Sequence, residues 1–161
     1  MHQICYLPEK FLKMKKTISL VVCFVFIASF SFSQIRKIPS AVTSAFQRQY
    51  PAAQKVEFAD NLVNVQVYFV LDSTKWMAKY NSDGDWKGSE KAWSFDKLSP
   101  EVKDGFQKSK YANDWKVTET SIIYLPGGAE NYRVKVEKND VQKKYLFFDK
   151  NGRLLRDTLT I

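Results

Sequence analysis

A helix-like segment that occurs twice is the feature that most constrains the fold of this chain. The stretch IPSAVTSAFQRQY, residues 38–50, resembles LSPEVKDGFQKSKY, residues 98–111. Its apolar positions agree at an offset of 60 residues: Ile38 with Leu98, Val42 with Val102, and Phe46 with Phe106. Their spacing is that of one buried stripe on an amphipathic helix. Recurrence of such a helix predicts that the unit it covers is also repeated.

Residues at the ends of both segments support the helical interpretation. Ser99 is a favourable N-cap, and Pro100 suits the first helical position because it needs no N–H partner there. Pro51 disfavours helical geometry in the residue before it and should end the first helix. Gly105 weakens the second helix modestly.

The apolar period changes to two after each helix. VEFADNLVNVQVYFVLD alternates around Val63, Val65, Val67 and Phe69, and STKWMAKY and DWKGSEKAW follow it. The second copy continues as WKVTETSIIYL, NYRVKVEK, VQKKYLFFD and RLLRDTLTI, with turn-forming residues between the runs. We therefore predict an α+β fold of two tandem α-β-β-β-β units, residues 34–96 and 97–161. One helix per unit would pack on one face of an antiparallel sheet.

The two copies differ in length. Asp72 matches Asp140 and Gly84 matches Gly152 at an offset of 68, so about eight extra residues are expected in the second copy, in the hairpin around Pro126. At this offset the alternating apolar residues of the strand at residues 63–69 do not match those of residues 132–136, because the two patterns are displaced by one position. This mismatch predicts a one-residue turn difference or a bulge.

The stretches KYNSDGDWK and FFDKNGRLL raise the alternative of two calcium loops. An EF-hand loop needs an oxygen ligand at position 1, glycine at position 6 and glutamate at position 12. With Gly84 at position 6, Glu90 does fall at position 12, but position 1 is Lys79; with Gly152 there, position 1 is Phe147 and position 12 is Thr158. Lys79, Phe147 and Thr158 do not suit a cation, whereas Asn and Asp beside Gly suit tight hairpins. We predict turns, with no metal and no cofactor.

Residues 1–33 have the pattern of a signal peptide. After Met14 come Lys15 and Lys16, an apolar run over residues 18–32, and small residues that favour cleavage before Gln34. Residues 1–13 would then come from a start codon assigned upstream of the true one, at Met14. A retained anchor and a lipidated Cys23 are the alternatives. Cleavage would leave no membrane span and would place the protein in the periplasm or outside the cell.

The residue types left after cleavage narrow the function. The one histidine, His2, and both cysteines, Cys5 and Cys23, fall within the leader. The mature chain therefore lacks a disulfide, a Ser-His-Asp triad and a cysteine nucleophile. Asp83 and Asp85 flank a turn and should be solvated. We predict no catalytic residue and no enzyme.

Charge gives a weaker indication of partners. The formal net charge is +8, partly from the leader, and the basic residues are scattered along the chain. Such a distribution favours solubility and mild attraction to anionic surfaces. It lacks the clustering typical of nucleic-acid-binding proteins, so nucleic acid is not expected as a partner.

Three motifs in order resemble those of exported PepSY-like proteins, some of which are named β-lactamase-inhibitor-like. They are P-x-x-V-x-x-x-F at Pro39–Phe46, Y-x-x-x-G-x-W at Tyr80–Trp86, and F-D-x-x-G-x-L-L at Phe148–Leu155. The resemblance covers residue 38 to the C-terminus. It implies a fold like that of the β-lactamase inhibitory protein (BLIP), with two tandem units forming a concave surface. It implies no inhibitor contact residue, and BLIP's disulfides have no counterpart here.

These observations favour a binding or inhibitory module of the bacterial cell envelope that holds a protein partner on its open sheet face. Aromatic residues dominate contact energies; the candidate anchors are Trp76, Tyr80, Trp86 and Trp93, although Trp86 matches Leu154 and could belong to the core. The alternative is glycan or polyanion binding at the cell surface, with Lys143, Lys144, Arg153 and Arg156 meeting anionic groups. Open sheet edges allow a monomer or a weak dimer.

Overall fold

The computed structural model describes residues 37–160, so the predicted leader, its cleavage point and Cys23 lie outside the described residues. Two α-helices and eight β-strands form this region. They are α1 (Ser40–Gln49), β1 (Gln54–Asp60), β2 (Val65–Leu71), β3 (Thr74–Tyr80), β4 (Trp86–Trp93), α2 (Pro100–Gln107), β5 (Lys116–Tyr124), β6 (Glu130–Glu137), β7 (Lys143–Asp149) and β8 (Leu154–Leu159). Short 3-10 turns occupy Phe95–Lys97 and Pro126–Gly128. Over residues 37–160, neither helix has the length and apolarity needed to cross a bilayer.

All eight strands belong to one antiparallel sheet. Their spatial order is their order along the chain, β1 to β8, so each strand pairs with its neighbours in sequence. The element order is a helix and four strands, then a helix and four strands. β4 and β5 pair directly through contacts such as Glu90 with Ile123, which joins the two sets of four strands into a continuous layer.

Both helices begin and end close to where the sequence predicts. The Ser99 hydroxyl accepts a hydrogen bond from the Val102 N–H at 3.4 Å, and Pro100 is the first residue of α2. α1 ends at Gln49, two residues before Pro51. Each helix therefore presents its predicted apolar stripe to the same face of the sheet.

Two apolar clusters lie between the helices and the sheet. The first is built around Val42 and Phe46 of α1, and the second around Val102 and Phe106 of α2. Each of these four side chains is at most 4% exposed. Burial of one such side chain stabilises the fold by about 1.5–3 kcal/mol, so each stripe anchors its helix.

The stretches around Gly84 and Gly152 are hairpin turns, as predicted. Both glycines have positive φ, 87° and 79°. The Asn81 side-chain oxygen accepts the Asp85 N–H at 2.7 Å, and an Asp149 carboxylate oxygen accepts the Arg153 N–H at 3.0 Å. These oxygen atoms close the turns through local hydrogen bonds.

Strand register identifies where the second half is longer. Phe58 pairs with Val67 on β2, and Thr120 pairs with Val134 on β6. The offset between Phe58 and Thr120 is 62 residues, whereas that between Val67 and Val134 is 67. Ala78 and Leu146, their partners on the next strands, differ by 68. Most of the added length is therefore in the β5–β6 hairpin that contains Pro126. The β6–β7 turn carries one further residue, which explains the parity mismatch as a turn difference.

Candidate binding surface

The sheet face opposite the helices, here called the open face, is formed by alternate side chains of the strands. The register places Gln66 opposite Lys79, Met77 opposite Glu90, and Glu90 opposite Ile123. A depression of about 680 Å³ extends over this face from β2 to β6. Because both helices pack against the other side, the open face is the broad surface on which a partner can lie.

A polar network occupies the centre of the open face. The Ser121 hydroxyl donates a hydrogen bond of 2.6 Å to the Glu90 carboxylate, which also forms an ion pair with the Arg133 guanidinium. The guanidinium carbon lies 4.4 Å from the centre of the Tyr145 ring. The network thus connects four adjacent strands, β4 to β7. The Glu90 side chain is 13% exposed and that of Arg133 is 23% exposed, which strengthens their interaction relative to a solvated pair.

Charge is balanced at one end of the open face. Lys135 lies 2.7 Å from a Glu119 carboxylate oxygen and 3.4 Å from one of Glu137, and the hydrogen bond to Glu119 is the main reason that its pKa is raised. Lys143 lies 3.9 Å from Glu137. Cations in this region therefore have carboxylate partners within the protein.

The other end of the open face carries excess positive charge. Within residues 37–160, neither Lys79 nor Arg156 forms an ion pair, and Lys87 is 3.8 Å from only one carboxylate, the exposed Asp85. The Arg156 guanidinium stacks on the Phe147 ring, with 4.2 Å between its carbon and the ring centre. Stacking of this kind leaves the in-plane N–H donors of arginine accessible.

Two of the predicted aromatic anchors, Tyr80 and Trp86, belong to the helix side. Tyr80 is fully buried, and its hydroxyl donates a 2.8 Å hydrogen bond to the Gln49 side chain of α1. Burial raises the pKa of the Tyr80 phenol, and the neighbouring Tyr50 adds to this effect. The Trp86 indole packs against the first apolar cluster and donates a 2.7 Å hydrogen bond to Ser89. Tyr80 thus has no exposed surface with which to contact a partner.

The other two predicted anchors, Trp76 and Trp93, are half-buried on the helix side. Trp76 stacks between Phe69 and Tyr124, with ring centres 6.2 and 5.7 Å apart. The Lys91 ammonium lies 5.3 Å from the centre of the Trp76 ring and 4.8 Å from that of Trp93. All four predicted aromatic residues therefore pack on the helix side, and two of them, Trp76 and Trp93, also line the depression of the open face.

The four predicted anion-binding residues are not brought together. Lys143 is on the open face, Lys144 is on the helix side, Arg153 is in the β7–β8 turn, and Arg156 is on β8. Three of them have carboxylate partners: Glu137 for Lys143, Asp157 for Lys144 at 2.9 Å, and Asp149 for Arg153 at 3.2 Å. Arg156 alone of the four belongs to the positively charged end of the open face.

The sequence patterns did not indicate Lys79, Glu90, Ser121 or Arg133 as site residues. A usable signal existed for the first two, because side chains of opposite parity to the buried residues of a strand must face away from the helix. Ser121 and Arg133 meet Glu90 only because β4 pairs with β5. That pairing has no local sequence signature.

Comparisons with known proteins assign the fold. No family model matches the sequence, and no curated protein shows significant similarity to it. A DUF2874 family protein from Bacteroides ovatus is 26% identical, with a TM-score of 0.70 over 76% of this chain and 88% of that one. A BLIP-like protein from Bacteroides fragilis is also 26% identical, with a TM-score of 0.66 over 76% and 86%.

A third structure, a protein from Bacteroides eggerthii with a provisional description as periplasmic, has a TM-score of 0.70 at 19% identity. The match covers 76% of this chain and 89% of that one. The chain therefore has a BLIP-like fold, an eight-stranded antiparallel sheet with two helices. The narrower PepSY-like assignment stays a prediction.

Proposed function

We propose that this chain is an exported, non-catalytic binding or inhibitory module of the bacterial cell envelope that holds a protein partner on its open face. The observation that carries the proposal is the open face itself. It combines a broad depression, a central polar network with its groups already paired, and one end with excess positive charge. A preformed, polar and partly charged surface of this kind is suited to a protein partner.

The structural neighbours support this proposal. One is described as BLIP-like and another as provisionally periplasmic. The inhibitory protein after which the BLIP-like fold is named acts on another protein, and a periplasmic site agrees with the signal-peptide pattern before Gln34. Fold analogy alone does not name the partner.

Non-catalytic binding agrees with the chemistry of the described residues. Clearly shifted pKa values within residues 37–160 include those of four tyrosines, raised mainly by burial, and that of Lys135, raised mainly by its hydrogen bond to Glu119. The Glu90 carboxylate, which faces the depression, is engaged by Ser121 and Arg133. Neither arrangement pairs a nucleophile with a base.

We also infer that the chain consists of two tandem units, residues 34–96 and 97–161. Two contacts support this inference. The Gly84 turn approaches the Ala41 carbonyl at the start of α1, and the Gly152 turn approaches the Glu101 carbonyl at the start of α2. The same register shift follows Lys79 in β3 and Phe147 in β7. Matching irregularities at matching positions favour duplication over coincidence.

Site-specific cross-linking tests the proposed function. A photoreactive phenylalanine analogue would replace Tyr68, which is 44% exposed on the open face, and in a matched variant it would replace Ser44 on the exposed side of α1. We expect a discrete cross-linked protein from Tyr68 and none from Ser44 in envelope extract. Cross-linking from Ser44 alone would contradict use of the open face.

Glycan or polyanion binding remains the alternative, and one observation favours it: Arg156 and Lys79 have no anionic partner in the described region. Its signature is salt dependence, because binding through solvated charges weakens steeply as ionic strength rises. Binding to a partner across the mixed polar and apolar open face should weaken less.

A further inference from the structure

We propose that the positively charged end of the open face, the basic cradle, recognises an acidic side chain, Asp or Glu, of a protein partner. This inference rests on the proposed function and adds to it the chemistry of the partner. The cradle is a depression of about 250 Å³. Its basic residues are Lys79, Lys87, Arg133 and Arg156, and its apolar residues are Met77, Ile123, Leu125 and Phe147.

The shape of the cradle depends on curvature of the sheet. In a flat sheet, β3 and β8 would be five strand spacings apart, about 24 Å at the usual spacing. Residues of both strands nevertheless line this small depression. The sheet therefore curls toward its open face and brings Lys79 and Arg156 to the same concavity.

Gly88 opens the cradle at its base. The pairing of Lys79 with Gly88 is followed by that of Tyr80 with Trp86, so Lys87 is the extra residue of a bulge. Gly88 has φ of 145°, and a β-carbon there would lie 2.9 Å from the Tyr124 carbonyl oxygen. A side chain at this position would thus clash with the backbone.

The cradle has an excess of positive charge, which an anion would neutralise. The one carboxylate in its lining is Glu90, and that group is already bonded to Arg133 and Ser121. Lys79 and Arg156 are left without counterions among residues 37–160, and Arg156 is oriented by the Phe147 ring. Positively charged side chains held close together repel one another, so an incoming carboxylate relieves repulsion as well as forming ion pairs.

The apolar lining favours a protein side chain over other anions. Met77 and Ile123 offer contacts to the methylene groups of Asp or Glu and to a neighbouring apolar residue. Arg156 lies over one face of Phe147, the aromatic ring in the lining, so that face is not free to stack on a sugar. The size of the cradle suits one or two side chains rather than a lipid headgroup with its chains.

A peptide pair tests the inference. The ¹⁵N-labelled protein, exported with its own leader, would be titrated with acetyl-Leu-Glu-Leu-Glu-Leu-amide and with its Gln counterpart. We expect saturable shifts of the Gly88 and Ile123 amide resonances, with at least fivefold weaker binding of the Gln peptide. The double variant Lys79→Glu/Arg156→Glu should lose this preference, and Lys116→Glu, the same charge change at the far end of β5, should keep it.

Three results would overturn the inference: equal binding of the two peptides, an unchanged preference in the double variant, or larger shifts of the same amides with heparin or anionic phosphatidylglycerol vesicles. Thermal melts would establish that each variant is folded. Failure of the inference is distinguishable from failure of the proposed function. Undiminished cross-linking from Tyr68 in the double variant would leave the open face as the binding surface and remove the cradle from it.

Discussion

Gly84 lies so close to the first turn of α1 that a β-carbon on it would be 2.7 Å from the carbonyl oxygen of Ala41. Gly152 has the equivalent relationship with Glu101 of α2. Each glycine thus serves two purposes, since it adopts positive φ in the hairpin and lets the turn contact the helix. These contacts tie each helix to the distant end of its own set of four strands.

Replacing Gly84 or Gly152 with alanine should destabilise the fold strongly. Positive φ costs alanine about 1–2 kcal/mol, and the backbone clash raises the expected loss to about 2–5 kcal/mol for each variant. Urea denaturation measures the loss. Gly127 is the matched control, because it has φ of 81° but no atom within 4 Å of the place that a β-carbon would take. Equal losses for Gly84→Ala and Gly127→Ala would show that helix contact is unimportant.

Removing one member of the Glu90–Arg133 pair should destabilise the fold more than the pair's joint removal would suggest. Arg133→Met leaves the Glu90 carboxylate half-satisfied, and because both groups retain some exposure we expect a loss of about 2–4 kcal/mol, slightly below that for fully buried pairs. Glu90→Leu combined with Arg133→Met should lose less than the sum of the single changes. Chemical denaturation of the four proteins provides the cycle. Strict additivity would mean that the two residues do not interact.

Stability should fall at alkaline pH because of the buried tyrosines. The pKa of Tyr80 is raised above its ordinary value of about 10, mainly by burial. The folded state therefore keeps a proton that the unfolded state releases, so this contribution is complete below pH 10 and is lost as pH rises from there toward the folded-state pKa. The decline approaches about 1.4 kcal/mol per pH unit for each such group.

Tyr80→Phe separates this effect from lysine titration. Its denaturation midpoint should fall less steeply between pH 10 and 11.5 than that of the parent protein, and absorbance of tyrosinate should appear at higher pH in the parent than in the unfolded chain. Identical pH profiles for the two proteins would exclude Tyr80 as the source.

The leader gives a prediction that does not depend on the described residues. Protein recovered from the periplasm or medium should begin at Gln34, because small residues precede that position and the apolar run is too short to span a bilayer. Mass spectrometry of the intact protein measures its start. A mature chain that begins at Met1, or one that begins with a lipid-modified Cys23, would contradict the expected processing.

Much of the fold could be predicted because local and periodic signals agreed. The stripes at Val42 and Phe46, and at Val102 and Phe106, marked both helices and the face they cover. The glycine turns followed from backbone preferences. Val63 shows where periodicity misled: it continues the alternation of β2, yet it is 82% exposed in the preceding turn, because the strand begins at Val65.

The binding surface was harder to predict because it depends on pairing between distant strands. Glu90 meets Arg133 only after β4, β5 and β6 are aligned, and Lys79 and Arg156 line one depression only because the sheet curls. The side of the sheet on which Trp76 lies could have been predicted, because the two-residue turn at Asp72 and Ser73 places Trp76 opposite the buried Phe69. The large aromatic residues chosen as anchors for their contact energy are the ones that pack beneath the helices.

Blocking each side of the sheet separately tests whether the open face binds the partner. The chain after residue 33 has no cysteine, so Ala92→Cys on the open face and Ser44→Cys on α1 each create a unique labelling site. Affinity for the protein captured through Tyr68 would be measured by calorimetry after attaching a bulky maleimide. We predict at least a tenfold loss of affinity with the label at position 92 and less than a twofold change with it at position 44; the reverse pattern would contradict binding at the open face.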